Sequence, residues 1–436
     1  MDDSTKLAFG TKIKTMLGNE LIVARWLAEG GQGDIYIIKY NEQFMALKWY
    51  KPKGLGKDPQ AFYDNLKNNA KHGAPSEEFL WPLDVTEWMN GSFGYVMELR
   101  PPGYSELSDF MLTEVRFPSF RKITDAALHI VSAYRILHNQ GYSYQDLNDG
   151  NFFINPNTGK VLICDNDNVA PNGMETGIAG KPRYMAPEIV LGKNMPNSLS
   201  DRFSMSVILF ILFCLNHPLE GKKSLVPCLS PELQEKLYGS EATFIMDPSN
   251  RENGPHPEIH KNTTVVWPYL PDYMQDLFLT AFSQKALHNP NARPSELEWL
   301  KKLVRFRSEI VPCECGNEIF TENGKNCNCE RCREKMQVPY RIRFRDYAIP
   351  GIADSRIYRC QLGICNTDEA LKPVGHVIAK KSDKRALGLK NLSNQVWSVE
   401  LASGKTRKVA PQEIMPLRDG MSVHLYNEVI KIEANE

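Results

Sequence analysis

The apolar residues of this chain change period along the sequence, and that change limits the possible folds more than any residue count. Over residues 21–50 apolar and polar positions alternate through "LAEGGQGDIYIIKY" and "FMALKWY", which predicts a glycine-turned hairpin followed by a third strand. A helix is expected over 59–72, opened by Pro59 and ended near Gly73, and "LWPLDV" and "GSFGYVMEL" supply two further strands. From about residue 105 the period becomes helical, with Ile123, Ala127, Ile130, Tyr134 and Leu137 on one face, and it stays helical to about Arg307. Alternation returns from about 338 in "QVWSVELASGKTRKV" and "MSVHLYNEVIKIEA". A strand-rich lobe, a helix-rich lobe and a small all-β domain, a sandwich by its turn spacing, are therefore expected in that order.

The 436 residues suit two or three domains, and 42% hydrophobic content supplies a large core. Lysine plus arginine equals aspartate plus glutamate at 52 each, so no overall basic field points to nucleic acid. The longest apolar run, Val207 to Leu215, is about half the ~20 residues of a membrane helix and reads as a buried helix. The start, "MDDSTKLAFG", is acidic and lacks an apolar run, which argues against a signal peptide. Half of the ten cysteines fall between Cys313 and Cys332, and clustered thiols without an export signal favour metal binding in a reducing cytoplasm.

The stretch "GYSYQDLNDGNFFIN" sets Asp146 five residues before Asn151. Asn-Asp-Gly at 148–150 is ordinary turn chemistry, so the pair proves little alone. Its surroundings decide the matter. "AEGGQGDI" precedes it, then "MALK" with Lys48 fifteen residues after Gly33, then "VMEL" at 96–99. "VLICDND" follows, with Asp165 fourteen residues beyond Asn151 at the end of a buried strand, and then "GKPRYMAPE".

This ordered series, over residues ~20–305, resembles a eukaryotic-type protein kinase of the bacterial serine/threonine kind. The resemblance implies an α+β fold, a two-lobed kinase followed by a zinc ribbon and a small β sandwich. "AEGGQGDI" is similar to the glycine-rich loop, with Ala28 in place of its first glycine and Gly30 and Gly33 at the other two. Lys48 would meet the α- and β-phosphates of ATP. Ala46 would line the adenine pocket, Met97 would be the gatekeeper, and backbone groups of Glu98 and Arg100 would bond the adenine edge. Ile35 and Phe153 complete the implied ATP-binding set. Asp146 matches the catalytic aspartate, while Asn151 and Asp165 match the ligands of magnesium or manganese. Glu188 would pair with Arg293 inside the helical lobe, and Asp201 would brace the catalytic loop through its backbone; these three are structural.

The pattern also departs from the family. Tyr144-Gln145 precede Asp146, so no arginine is available to read a phosphorylated activation loop. Between Asp165 and Glu188 only Thr176 carries a hydroxyl besides Tyr184, which argues against activation by loop phosphorylation. Asn166-Asp167 replace Phe-Gly, and Asn148 replaces the catalytic-loop lysine. The helix at 59–72 offers Lys48 no glutamate, leaving Asp64 or Asn68 as substitutes. Lys181 stands where a threonine is usual and could restore the missing cation; a solvated lysine is the plain alternative. Survival of Lys48, Asp146, Asn151 and Asp165 favours an active kinase over a pseudokinase or nucleotide-binding scaffold.

"CECGNEIFTENGKNCNCERC" has the form of a zinc ribbon, because two tight cysteine turns deliver the four soft ligands of a tetrahedral site. Cys313, Cys315, Cys329 and Cys332 are the expected ligands of a structural zinc, Cys327 is a reserve, and free thiols are the alternative. The tail, 385–436, is weakly similar to the second half of forkhead-associated sandwiches, without the serine and histidine of phosphothreonine readers. The expected organisation is an N-terminal segment at 1–19, kinase lobes at 20–100 and 101–308, the ribbon at 309–337 and the β-rich domain at 338–436. This arrangement resembles bacterial kinases associated with a PP2C-type phosphatase and a von Willebrand factor A protein. The implied partners are those two and a protein substrate, with neither nucleic acid nor membrane.

Overall fold

The computed structural model describes residues 6–174, 180–250, 252–364 and 368–435. Thr176 lies outside them. The chain forms two compact units. The first comprises Met1–Arg116, Ile136–Tyr269 and Phe278–Pro294, and the second Phe117–Arg135, Leu270–Leu277 and Ser295–Glu436.

The first unit begins with an antiparallel sheet. Its strands are β1 (Lys12–Lys14), β2 (Glu20–Glu29), β3 (Gly33–Tyr40), β4 (Gln43–Tyr50), β5 (Asp84–Val85) and β6 (Gly94–Met97), in the order β1-β2-β3-β4-β6-β5. Helix α1, Pro59–His72, lies between β4 and β5 in sequence. Asp58 caps it by accepting the Ala61 N–H at 2.9 Å, and Gly73 ends it at φ +79°. Strand alternation sorts the core. On β4, Ala46 and Tyr50 pack with Phe62 and Leu66 of α1, while Leu47 and Trp49 pack on the other side with Ile38 and Val96. Lys48 shares the face of Ala46 and Tyr50. The "LWPLDV" strand is shorter than its sequence suggests, since it forms ladder pairs only at Asp84–Val85, after Pro82, which has no N–H to donate.

The rest of the first unit is mainly helical. Its central helix, Ser198–Cys214, is apolar nearly all round and buried along most of its length. Asn197 caps it, accepting the N–H groups of Leu199 and Ser200 at 2.8 and 3.2 Å. Glu188 and Arg293 form a buried two-pronged pair at 2.8 and 2.6 Å, and Arg293 also donates to the Leu199 carbonyl at 2.8 Å. Two prongs matter here because a buried guanidinium is tolerated only when its donors are occupied.

In the second unit, two short hairpins (Ile310–Pro312 with Glu318–Phe320, and Cys327–Asn328 with Lys335–Met336) carry the cysteine turns. Glu318 accepts the Phe120 and Arg121 N–H groups at 2.5 and 3.1 Å, at the start of helix Phe120–Asn139. The tail forms a six-stranded and a four-stranded antiparallel sheet around one core that includes Ile342, Val377, Leu389, Trp397 and Val423. No described helix is long and apolar enough to cross a membrane.

Candidate active site

The loop Gly30–Gly33 closes the β2–β3 hairpin, with the Gly30 N–H bonded to the Gly33 carbonyl at 2.8 Å. Register then aligns the neighbours: Ala28 faces Ile35, Ile35 faces Lys48, and Ala46 faces Met97. A Cβ at Gly33 would lie 2.4 Å from the Trp49 carbonyl oxygen, so the close approach of β3 to β4 requires glycine there. Beyond β6, the Arg100 guanidinium stacks on the Phe153 ring at 4.0 Å. Glu98 follows Met97 directly, outside the ladder.

The polar end of the site is built by two loops. Asp201, at the start of the buried central helix, accepts the N–H of Tyr144 at 2.7 Å and of Gln145 at 3.2 Å, and His138 lies 3.1 Å away. These bonds hold Gln145 at φ +72°, a strained conformation for a residue with a side chain, and so fix the backbone entering Asp146. Asn151 donates to the Asp146 carbonyl at 2.8 Å, and Asn148 approaches Oδ1 of Asp146 at 3.4 Å. Asp165 adopts φ +54° at the end of strand Val161–Ile163. Its Oδ1 lies 3.1 Å from Lys48 Nζ, and the following turn brings Asn168 within 3.4 Å of Asp146 Oδ2. Lys48, Asp165, Asn168, Asp146, Asn151 and Asn148 thus form one connected chain of polar contacts. Lys181 extends it, donating to Asn148 Oδ1 at 2.9 Å with Asp149 at 4.0 Å.

Electrostatics follow from this crowding. Burial, and then Asp165, push the Asp146 carboxyl up to about 6, against the pull of Asn148 and Lys181. A carboxyl tuned toward neutrality can accept a hydroxyl proton near physiological pH. Burial works against the Lys48 charge, but Asp167 and then Asp165 outweigh it and hold the ammonium above the ordinary lysine value.

The helix at 59–72 does not supply the partner of Lys48. Asp64 is bonded to Gln60 on the helix surface, and Lys48 instead meets Gln32 at 3.3 Å, Asp165, and the fully buried Asp167 at 2.9 Å. Asp167 and Tyr50, whose hydroxyl bonds Asp167 at 2.5 Å, were not singled out from the sequence. The available signal was period two, which puts Tyr50 on the face of Lys48.

Asn151 spends its amide N–H on Asp146, so its carbonyl oxygen remains as an acceptor, and the Asp165 carboxylate is 42% exposed. Two hard oxygen donors beside an ammonium fit a magnesium ion shared with phosphate. In the second unit, the sulfurs of Cys313, Cys315, Cys329 and Cys332 all lie within 4.8 Å of one another, with 3.6 Å between Cys313 and Cys332 and between Cys315 and Cys329. Zn–S bonds of about 2.3 Å at tetrahedral angles require sulfurs about 3.8 Å apart, so this donor set fits zinc. Cys327 stays outside the cluster.

Comparison with known proteins finds protein kinases. Protein kinase YegI of Escherichia coli strain K12 is 22% identical over 328 residues, taking in 69% of this chain and 47% of that protein. Maternal embryonic leucine zipper kinase of Danio rerio is 31% identical over 138 residues, 30% of this chain and 20% of the relative. Protein kinase C delta type of Rattus norvegicus is 25% identical over 201 residues, 45% of this chain and 29% of the relative. The aligned regions thus span half or less of these relatives' own lengths. The protein kinase domain family matches residues 25–266. Since that match takes in more than half of the chain, the chain belongs to the protein kinase domain family.

Proposed function

We propose that the protein is an ATP-dependent kinase that transfers the γ-phosphate to serine or threonine hydroxyls of protein substrates. The observation that carries this reading is the connected polar chain from Lys48 through Asp165 and Asp146 to Lys181. Phosphoryl transfer asks little covalent chemistry of the protein and much positioning and charge. Ala28, Gly30, Gly33 and Ile35 would cover the nucleotide, Ala46, Met97 and Phe153 would line its base, and the backbone at Glu98 and Arg100 would bond the base edge. Lys48 would meet its phosphates. Asn151 and Asp165 would hold magnesium or manganese, which neutralises phosphate charge when bound. Asp146 would orient the substrate hydroxyl and accept its proton, and Lys181 would stand in for the cation that Asn148 lacks. Asp201, Glu188 and Arg293 hold loops and helices without touching substrate.

Cys313, Cys315, Cys329 and Cys332 would bind one structural zinc, because four thiolates leave no open position. The two-sheet tail is read as a docking domain of forkhead-associated-like type. Bacterial stress signalling in the cytoplasm, beside a PP2C-type phosphatase and a von Willebrand factor A protein, is the setting this arrangement favours. A nucleotide-binding scaffold is the second reading, favoured by Asn148 where a lysine is usual.

One comparison separates the two. Purified protein is incubated with labelled ATP, magnesium and a general protein acceptor, beside Asp146→Asn. The kinase reading expects labelled product from the parent and at least 10²-fold less from the variant. Equal transfer by both, or by neither, overturns it.

A further inference from the structure

A lysine that grips phosphates works only if its ammonium is held still, and that takes a fixed anion. Helix α1 does not provide one. Its Phe62 packs edge-on against the Tyr50 ring, at 5.1 Å and 74°, and its Asn65 and Asn69 both donate to the Val169 carbonyl, at 2.9 and 2.8 Å. The anion is Asp167, two residues past Asp165 and wholly buried. One of its oxygens, Oδ2, accepts from Lys48 Nζ at 2.9 Å and from the Tyr50 hydroxyl at 2.5 Å. Its other oxygen, Oδ1, is buried without a hydrogen-bond partner among the described residues. A carboxylate kept at such a position is there for its charge. The second anion near Lys48, Asp165, is 42% exposed and is the residue read above as a metal ligand. Once Asp165 turns to a metal, Asp167 is the carboxylate left to fix the lysine.

We infer that Asp167, steadied by Tyr50, is the positioning residue for Lys48, supplying from the loop after Asp165 the carboxylate that α1 lacks. The inference rests on the kinase reading for its purpose but not for its geometry. The anion that fixes the lysine then comes from the loop and not from a carboxylate on α1. Two asparagines tie the helix to the same loop, so helix, loop and lysine are set as one piece.

The test is a double-mutant cycle on the full chain. Asp167→Asn keeps shape and the Tyr50 contact but removes the charge; Lys48→Met removes the ammonium. Each single variant is expected to lower kcat by 10²-fold or more; Asp167→Asn should melt within a few degrees of the parent, whereas Lys48→Met, which strands a buried carboxylate, should melt lower but stay folded at the assay temperature. The double variant should be no worse than Lys48→Met alone, because a positioning anion has nothing to do once its lysine is gone. Tyr50→Phe should lose several-fold. Losses that multiply in the double variant, or Asp167→Asn at the parental rate, overturn the inference. If the parent transfers no phosphate, the kinase reading falls alone and the cycle is read on the Kd for magnesium–ATP. There both single variants should weaken binding at least 10-fold and the double no further; multiplied losses, parental affinity in Asp167→Asn, or a parent that binds no nucleotide overturn the inference.

Discussion

At position 181 a lysine side chain that is 60% exposed still ends on Asn148 Oδ1, at 2.9 Å. That position suits the role proposed for it, a cation beside the transferring phosphoryl group. Charge builds on that group mostly in the transition state, so its loss should appear in kcat rather than in ATP affinity. Lys181→Met is expected to lower kcat by about 10²-fold while the Kd for ATP stays within a few-fold. Transfer at the parental rate, measured in steady state, would return Lys181 to an ordinary surface role. Position 181 shows what single residues reveal from sequence. Its place in "GKPRYMAPE", where the resembling family usually has a threonine, marks it in the sequence, but only the folded loop brings it to Asn148.

Among elements, the cysteine hairpins are short and poorly able to stand alone. Each turn is shaped by backbone bonds: Gly316 to the Cys313 carbonyl at 2.9 Å with Gly316 at φ +84°, and Arg333 to the Cys329 carbonyl at 2.8 Å with Arg333 at φ +65°. With so little core between them, binding of the proposed zinc and folding of these turns would be one event. Elemental analysis should find about one zinc per chain, and Cys332→Ser should lose it and raise protease sensitivity after residue 310. Zinc near zero in freshly purified parent protein would rule this out. The elements were largely legible in the sequence because helix α1 and the alternating tail carry period and end signals, and the buried helix at 198–214 shows as an unbroken apolar run. What stayed hidden was a contact of long sequence separation: Lys48 and Asp167 lie 119 residues apart. The family resemblance points to helix α1 for that partner, but Asp64 bonds Gln60 on the helix surface and Asn65 and Asn69 bond the Val169 carbonyl.

For the molecule as a whole, acid stability should depend on His217 in the first unit. Its Nδ1 accepts the Leu219 N–H at 3.2 Å, so its Nε2 must carry the proton donated to the Arg183 carbonyl at 2.7 Å. Burial lowers its pKa to about 4, outweighing the pull of Glu220 at 3.8 Å, and protonation would also break the Leu219 bond. The unfolded chain takes up that proton near pH 6.5 and the folded chain only near 4, so stability is full above 6.5 and falls as pH drops toward 4. The loss is roughly 3 kcal/mol. His217→Asn, which keeps an acceptor, should flatten the melting temperature between pH 6.5 and 5, before most carboxylates contribute; an unchanged slope would acquit His217. The hold on Lys48 has a different kind of consequence, one of inheritance. It is written in two stretches of three residues, 48–50 and 165–167. A lineage carrying it can rewrite most of the outer face of α1 while the amides at 65 and 69 persist. On the reading proposed above, one nucleotide substitution, turning an aspartate codon at 167 into an asparagine codon, would be enough to abolish phosphate transfer while leaving the fold in place.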